Sequence, residues 1–187
     1  MASSYSADLK LELMATGEKS GLWGDITNTN LTILQQAIAG YEEVSIAGGV
    51  QTTPLVFSNG LVSDGKNAVI KFTGTITGNQ TVTIPNSIEK TYTIINGTTG
   101  AFTVEFKTVS GTGFTFAAAD KGTRLAYADG TNVVDVNAAF TTISQFTLPT
   151  ADGTNGQAIL TNGSGTLSFG AAGISTGKAI AMAIVFG

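Results

Sequence analysis

Neither cysteine nor histidine occurs in the 187 residues, and each absence removes a class of chemistry. Without thiols there is no disulfide framework and no thiolate metal site. Without imidazole, a Ser-His-Asp triad, a zinc site with histidine ligands and a histidine general base are all excluded, so catalysis would have to rest on carboxylates, lysine or tyrosine. Charge is also sparse: 12% of residues carry one, and 9 Lys plus Arg against 13 Asp plus Glu give a formal net charge of -4. Phosphate backbones are bound through clustered cations, so nucleic acid is not an expected partner. The longest apolar run, Ala179 to Phe186, falls far short of the roughly 20 residues of a spanning helix, and no membrane insertion is expected. No charged segment followed by an apolar run opens the chain, so no secretory signal is read there.

What is present is apolar and turn-rich, with 42% hydrophobic residues and 24 glycines. Between Asn67 and Phe116, runs rich in Thr, Val, Ile and Phe are cut at short intervals by Gly, Asn and Pro, as in an all-β domain. In Ala68–Phe72, Thr81–Ile84, Thr91–Ile95 and Phe102–Phe106, large apolar residues alternate with Thr, Lys or Glu, giving each strand one buried and one wet face. The expected fold class is mainly β, an antiparallel sandwich or jelly-roll-like domain over residues 44–137. Arg124–Tyr127 pairs with Val133–Val136 across Asp129-Gly130 to close it, and Asn59-Gly60 carries a hairpin signal.

Residues 1–43 read as an N-terminal arm and one short helix, a candidate attachment region. Leu9, Leu11 and Leu13 alternate with Asp8, Lys10 and Glu12 as in an amphipathic strand or extended arm. Three glycines then flank the only tryptophan, Trp23, in a loop that presents the indole either as a plug in its own domain or as an anchor into a neighbouring subunit. From Asn28 to Ala39 the spacing becomes helical, with Leu31, Leu34 and Ile38 on one stripe. Asp25 or Thr27 suits the N-cap and Gly40 a left-handed C-cap. This stripe packs either in the core or on a related helix across a symmetry axis.

Residues 138–187 form a Gly/Asn-rich C-terminal segment whose only charges are Asp152 and Lys178. So neutral a surface is poorly soluble alone, and its short strands lack a private core, so the segment is expected to oligomerise. Ile180, Met182, Ile184 and Phe186 alternate with small residues as in a strand buried on both faces; a short buried helix is the competing expectation.

The carboxylates Glu42, Glu43 and Glu105 assemble no acid and base pair. Gly111-Thr112-Gly113 lacks the Gly-Lys-Ser/Thr of a phosphate loop, and the Asp-Gly-Thr-Asn copies at Asp129 and Asp152 lack the alternating ligands of a calcium loop. No cofactor or metal is expected.

Three stretches carry a resemblance. Tyr5 to Gly40, with its Thr-Gly-Glu-Lys-Ser-Gly-Leu-Trp-Gly-Asp-Ile-Thr-Asn phrase, and Asn96 to Val134, with Thr-Gly-Thr-Gly-Phe and Tyr-Ala-Asp-Gly-Thr-Asn-Val-Val, resemble virion structural proteins of tailed phages, especially marine and cyanobacterial ones. Leu148 to Phe169 is similar to repeats in phage tail-fibre proteins. The resemblance implies a β-rich homotrimer without enzymatic activity, a tail fibre or capsid decoration assembled in the bacterial host cytoplasm and built into the virion beside other structural proteins. Candidate interface residues are Trp23, Leu31, Leu34, Ile38, Ile180, Met182, Ile184 and Phe186. A carbohydrate-binding module for a host surface glycan is the alternative, with Tyr92, Tyr127 or Trp23 stacking on a sugar ring; a carboxylate depolymerase is the third.

Overall fold

The computed structural model describes residues 3–136, 138, 142–143, 146–173 and 184. The chain forms two compact units, Met1–Asn137 and Ala138–Gly187.

The first unit is a mainly β sandwich with one α-helix. A short arm pairs β1 (Ser4–Tyr5) with β2 (Glu12–Leu13), and α1 (Trp23–Ala39) follows. The chain then alternates between two sheets. β3 (Tyr41–Ser45), β5 (Val69–Thr73) and β7 (Glu89–Asn96) lie in one; β4 (Gln51–Pro54), β6 (Gln80–Ile84) and β8 (Val104–Thr108) lie in the other. β9 (Gly113–Phe116) adds antiparallel to β8, and β10 (Thr123–Asp129) and β11 (Val133–Asp135) add antiparallel beyond β7.

Within this sandwich the first six of these strands pair parallel, β3 on β5 on β7 and β4 on β6 on β8. The expected antiparallel pairing therefore holds in the sandwich only for β8 with β9, β7 with β10 and β10 with β11. Each passage through both sheets is one coil, and coils stack: Ile70 lies beside Ile94, Val82 beside Phe106 and Thr75 beside Thr99. Polar residues at the corners join successive coils. The Thr75 and Thr99 hydroxyls are 2.9 Å apart, Thr103 N–H donates to Asn79 Oδ1 at 3.2 Å, and Asn86 Nδ2 donates to Ser110 Oγ at 2.9 Å. Asn59-Gly60 is a turn with no strand pairing across it; Gly60, at φ 64°, donates instead to the Lys10 carbonyl of the arm at 2.7 Å.

Alternation along every inner strand supplies the core. Ile70, Phe72, Tyr92 and Ile94 of one sheet face Val82, Ile84, Val104 and Phe106 of the other, all fully buried. Phe106 is central, its ring 6.0 Å from Phe72, 5.6 Å from Tyr92 and 5.9 Å from Phe114. Pro54 lies in β4, an edge strand, where the missing N–H removes no pairing.

The second unit holds two hairpins, β12 (Thr142–Ile143) with β13 (Phe146–Thr147), and β14 (Gln157–Thr161) with β15 (Leu167–Ala171). At residues 138, 146–173 and 184 of this unit none is buried.

Candidate interaction surface

Helix α1 begins one turn earlier than its periodicity suggests. Leu22 occupies the N-cap without a side-chain hydrogen bond, so neither Asp25 nor Thr27 caps it; Asp25 lies in the first turn, where its charge suits the helix dipole. Trp23 is thus the first helical residue rather than the tip of a loop. At the other end Gly40 is extended (φ -71°, ψ 142°) and not left-handed. Glycine is required there for space, because a Cβ would run into Asn67 Oδ1 and the Gln36 carbonyl.

One side of the helix is fixed to the domain. Ile33 is fully buried. Asn30 Nδ2 donates to the Glu12 carbonyl at 2.9 Å and its Oδ1 accepts from Glu12 N–H at 3.0 Å, which ties the arm down. The Ser3 hydroxyl and then the Lys19 ammonium, 3.0 Å away, hold the Glu12 carboxyl below its ordinary pKa. Gln36 accepts from Ser63 N–H through Oε1 at 3.3 Å, and its carbonyl accepts from Ala68 N–H at 3.1 Å.

The adjoining side is open. Trp23 is 65% exposed, Leu31 57% and Ile38 79%, while Leu34 is half-buried. Trp23 therefore does not plug its own domain. At about 100° per residue, the apolar arc of α1 is wider than the stripe of Leu31, Leu34 and Ile38. It continues through Ile26, Ile33 and Ala37, of which Ile33 is fully buried and the other two half-buried. Ile33 was missed because both halves give the same helical spacing.

Beside the helix C-terminus lies an open cavity of about 330 Å³ lined by Thr32, Gln35, Ala39, Tyr41 and Val62, among others. It offers amides, a phenol and alkyl groups but no carboxylate or amine. Tyr41 donates to Glu43 Oε1 at 2.6 Å, and that carboxylate is also 2.9 Å from Lys71 Nζ. The hydrogen bond to Glu43 pushes the phenol's pKa up, which moves it away from acid-base work near neutrality. Among the described residues no group of three Asp or Glu is placed to hold a metal ion.

The aromatic residues considered for sugar stacking do not gather. Tyr92 is fully buried and donates to the Gly65 carbonyl at 3.2 Å, so it cannot meet a ring. Tyr127 is 40% exposed on β10 and Trp23 starts α1. Of the C-terminal candidates, Ile184 is 77% exposed; Ile180, Met182 and Phe186 lie outside the described residues.

Two buried lysines escaped sequence reading because lysine in a turn or a strand reads as solvated. Lys66 Nζ donates to the Ser58 and Leu61 carbonyls, each at 2.6 Å, and organises the loop between β4 and β5. Lys90 Nζ donates to the Asn67 carbonyl at 2.8 Å. Burial pushes each pKa down to about 8, helped at Lys66 by the charge of Lys10. No protein-family model, curated protein or solved structure matches the chain.

Proposed function

We propose that the protein is a non-enzymatic structural component of a tailed-phage virion, a homotrimeric surface appendage of the tail-fibre or capsid-decoration type. The observation that carries this is the second unit. No residue is buried at 138, 146–173 or 184, and β14 exposes Ile159 at 57% and Leu160 at 45%. A two-stranded hairpin is marginal alone in water, and within this segment the chain supplies only two charges to keep it dispersed. Contact with further copies or other virion proteins covers such a surface. The resemblance of the arm, the Asn96–Val134 stretch and the C-terminal repeat to phage virion proteins supports a phage particle as the place of that contact. The carbohydrate-binding alternative finds less support, since its aromatics are separated and one is buried.

Gold-labelled antibody against the full-length chain tests the assignment on purified particles. Regular labelling of capsid or tail is expected, and labelling also decides between the two. Particles that contain the chain in no stoichiometric amount overturn it.

A further inference from the structure

One half of the α1 arc has the spacing of a seam. Gly24, Thr27, Leu31, Leu34 and Ile38 follow one another at intervals of three and four residues, the spacing with which helices pack side by side around a common axis; Leu31 and Ile38 are exposed and the other three half-buried. Trp23 flanks its first turn. The other half of the arc, through Ile33 and Asn30, is occupied by the chain itself, so the helix is held rigidly while its second face waits.

We infer that this seam is where copies of the chain meet, α1 lying parallel to α1 of its two neighbours about a three-fold axis. The inference rests on the homotrimer reading and gives it a place in the first unit. Charge decides for identical copies: no seam residue is charged, and Asp25 is the only charged residue of the whole helix. A symmetric copy brings like against like at every position, which is tolerated only where no charge lies on the axis. A partner recruited by electrostatics finds nothing on this face to recognise. Area agrees in part. Covering Trp23, Leu31 and Ile38 removes on the order of 400 Å² per chain from water, about half of what one partner gives a standard interface.

The chain has no cysteine, so Ile38→Cys in the full-length protein introduces a single thiol. A short bis-maleimide is expected to link such chains in pairs, while Thr32→Cys, on the polar side of the helix, stays unlinked. In parallel, Leu31→Glu with Ile38→Glu is expected to reduce the oligomer to single chains and shift the Trp23 emission to the red, with the β circular dichroism spectrum unchanged. Equal linking at positions 32 and 38, or none at 38, overturns the inference, and this holds even if the double variant fails to fold. A folded double variant that keeps the parental mass overturns it too, and then another segment of the chain or another protein covers the seam. In both cases an oligomeric parent leaves the virion reading standing; a monomeric parent removes that reading first.

Discussion

The Lys90 ammonium lies 4.0 Å from the centre of the Tyr92 ring, two residues along the same strand and on the same inward side. An aromatic face and the carbonyls of Asn67 and Thr91, 2.8 and 3.1 Å from the ammonium, replace the water and the carboxylate that a lysine usually has. Tyr92 pays in turn, its phenol pushed upward by burial and then by the charge of Asp8.

These two buried cations set a pH dependence. The ordinary lysine value is 10.5, and Lys66 and Lys90 titrate at about 8 in the folded chain. Between those values the unfolded chain binds more protons than the folded one, so stability rises with pH across the window. Below about 8 both states are protonated and the burial cost is present in full. Urea midpoints at pH 7.5, 8.5 and 9.5 should therefore increase, by at most roughly 1.4 kcal/mol per unit and per lysine. A flat or falling series contradicts burial of the charges.

Lys66→Met should cost more than its charge suggests. The substitution removes a buried cation, which is favourable, but leaves the Ser58 and Leu61 carbonyls without the donor that joins them. A hydrogen bond to a charged donor is worth about 1.5–3 kcal/mol, and two are lost. The expected outcome is a net loss in urea unfolding, with proteolysis appearing first between residues 55 and 68. A gain in stability shows that desolvation of the ammonium outweighs the two hydrogen bonds.

Phe106→Ala removes the ring that touches Phe72, Tyr92 and Phe114 across the sandwich. The loss should be about 3–5 kcal/mol. Calorimetry and denaturant unfolding check it, and a cost below about 1 kcal/mol contradicts the central place of this side chain.

Gly40→Ala tests the joint between helix and sheet. Where backbone allows it, glycine to alanine stabilises by about 0.4–1 kcal/mol; here the added Cβ meets Asn67 Oδ1 and the Gln36 carbonyl. The variant is expected to unfold more readily than the parent, and a stabilised variant refutes the close approach.

Strand positions were legible because alternation is local. Val69–Thr73, Gln80–Ile84 and the β10–β11 hairpin fall close to the runs read from residue type. Strand direction was not, because the same alternating runs and Gly-Asn corners serve a hairpin or a stacked coil equally well. The parallel register pairs Val82 with Phe106 and Gln80 with Val104, all four buried, so the coils repeat in burial more than in identity. Few pairs repeat outright, among them Gln51 with Gln80, Thr52 with Thr81, Ile70 with Ile94 and Thr75 with Thr99. In α1, periodicity located an apolar stripe but could not tell which half of a wide arc the domain covers. Leu31 and Ile38 read equally well as core, and Ile33 took that role.

Sedimentation of the full-length chain at micromolar concentration separates a self-associating appendage from a free monomer. One species of three times the 19.0 kDa chain mass is expected. A monodisperse species at the mass of a single chain contradicts it.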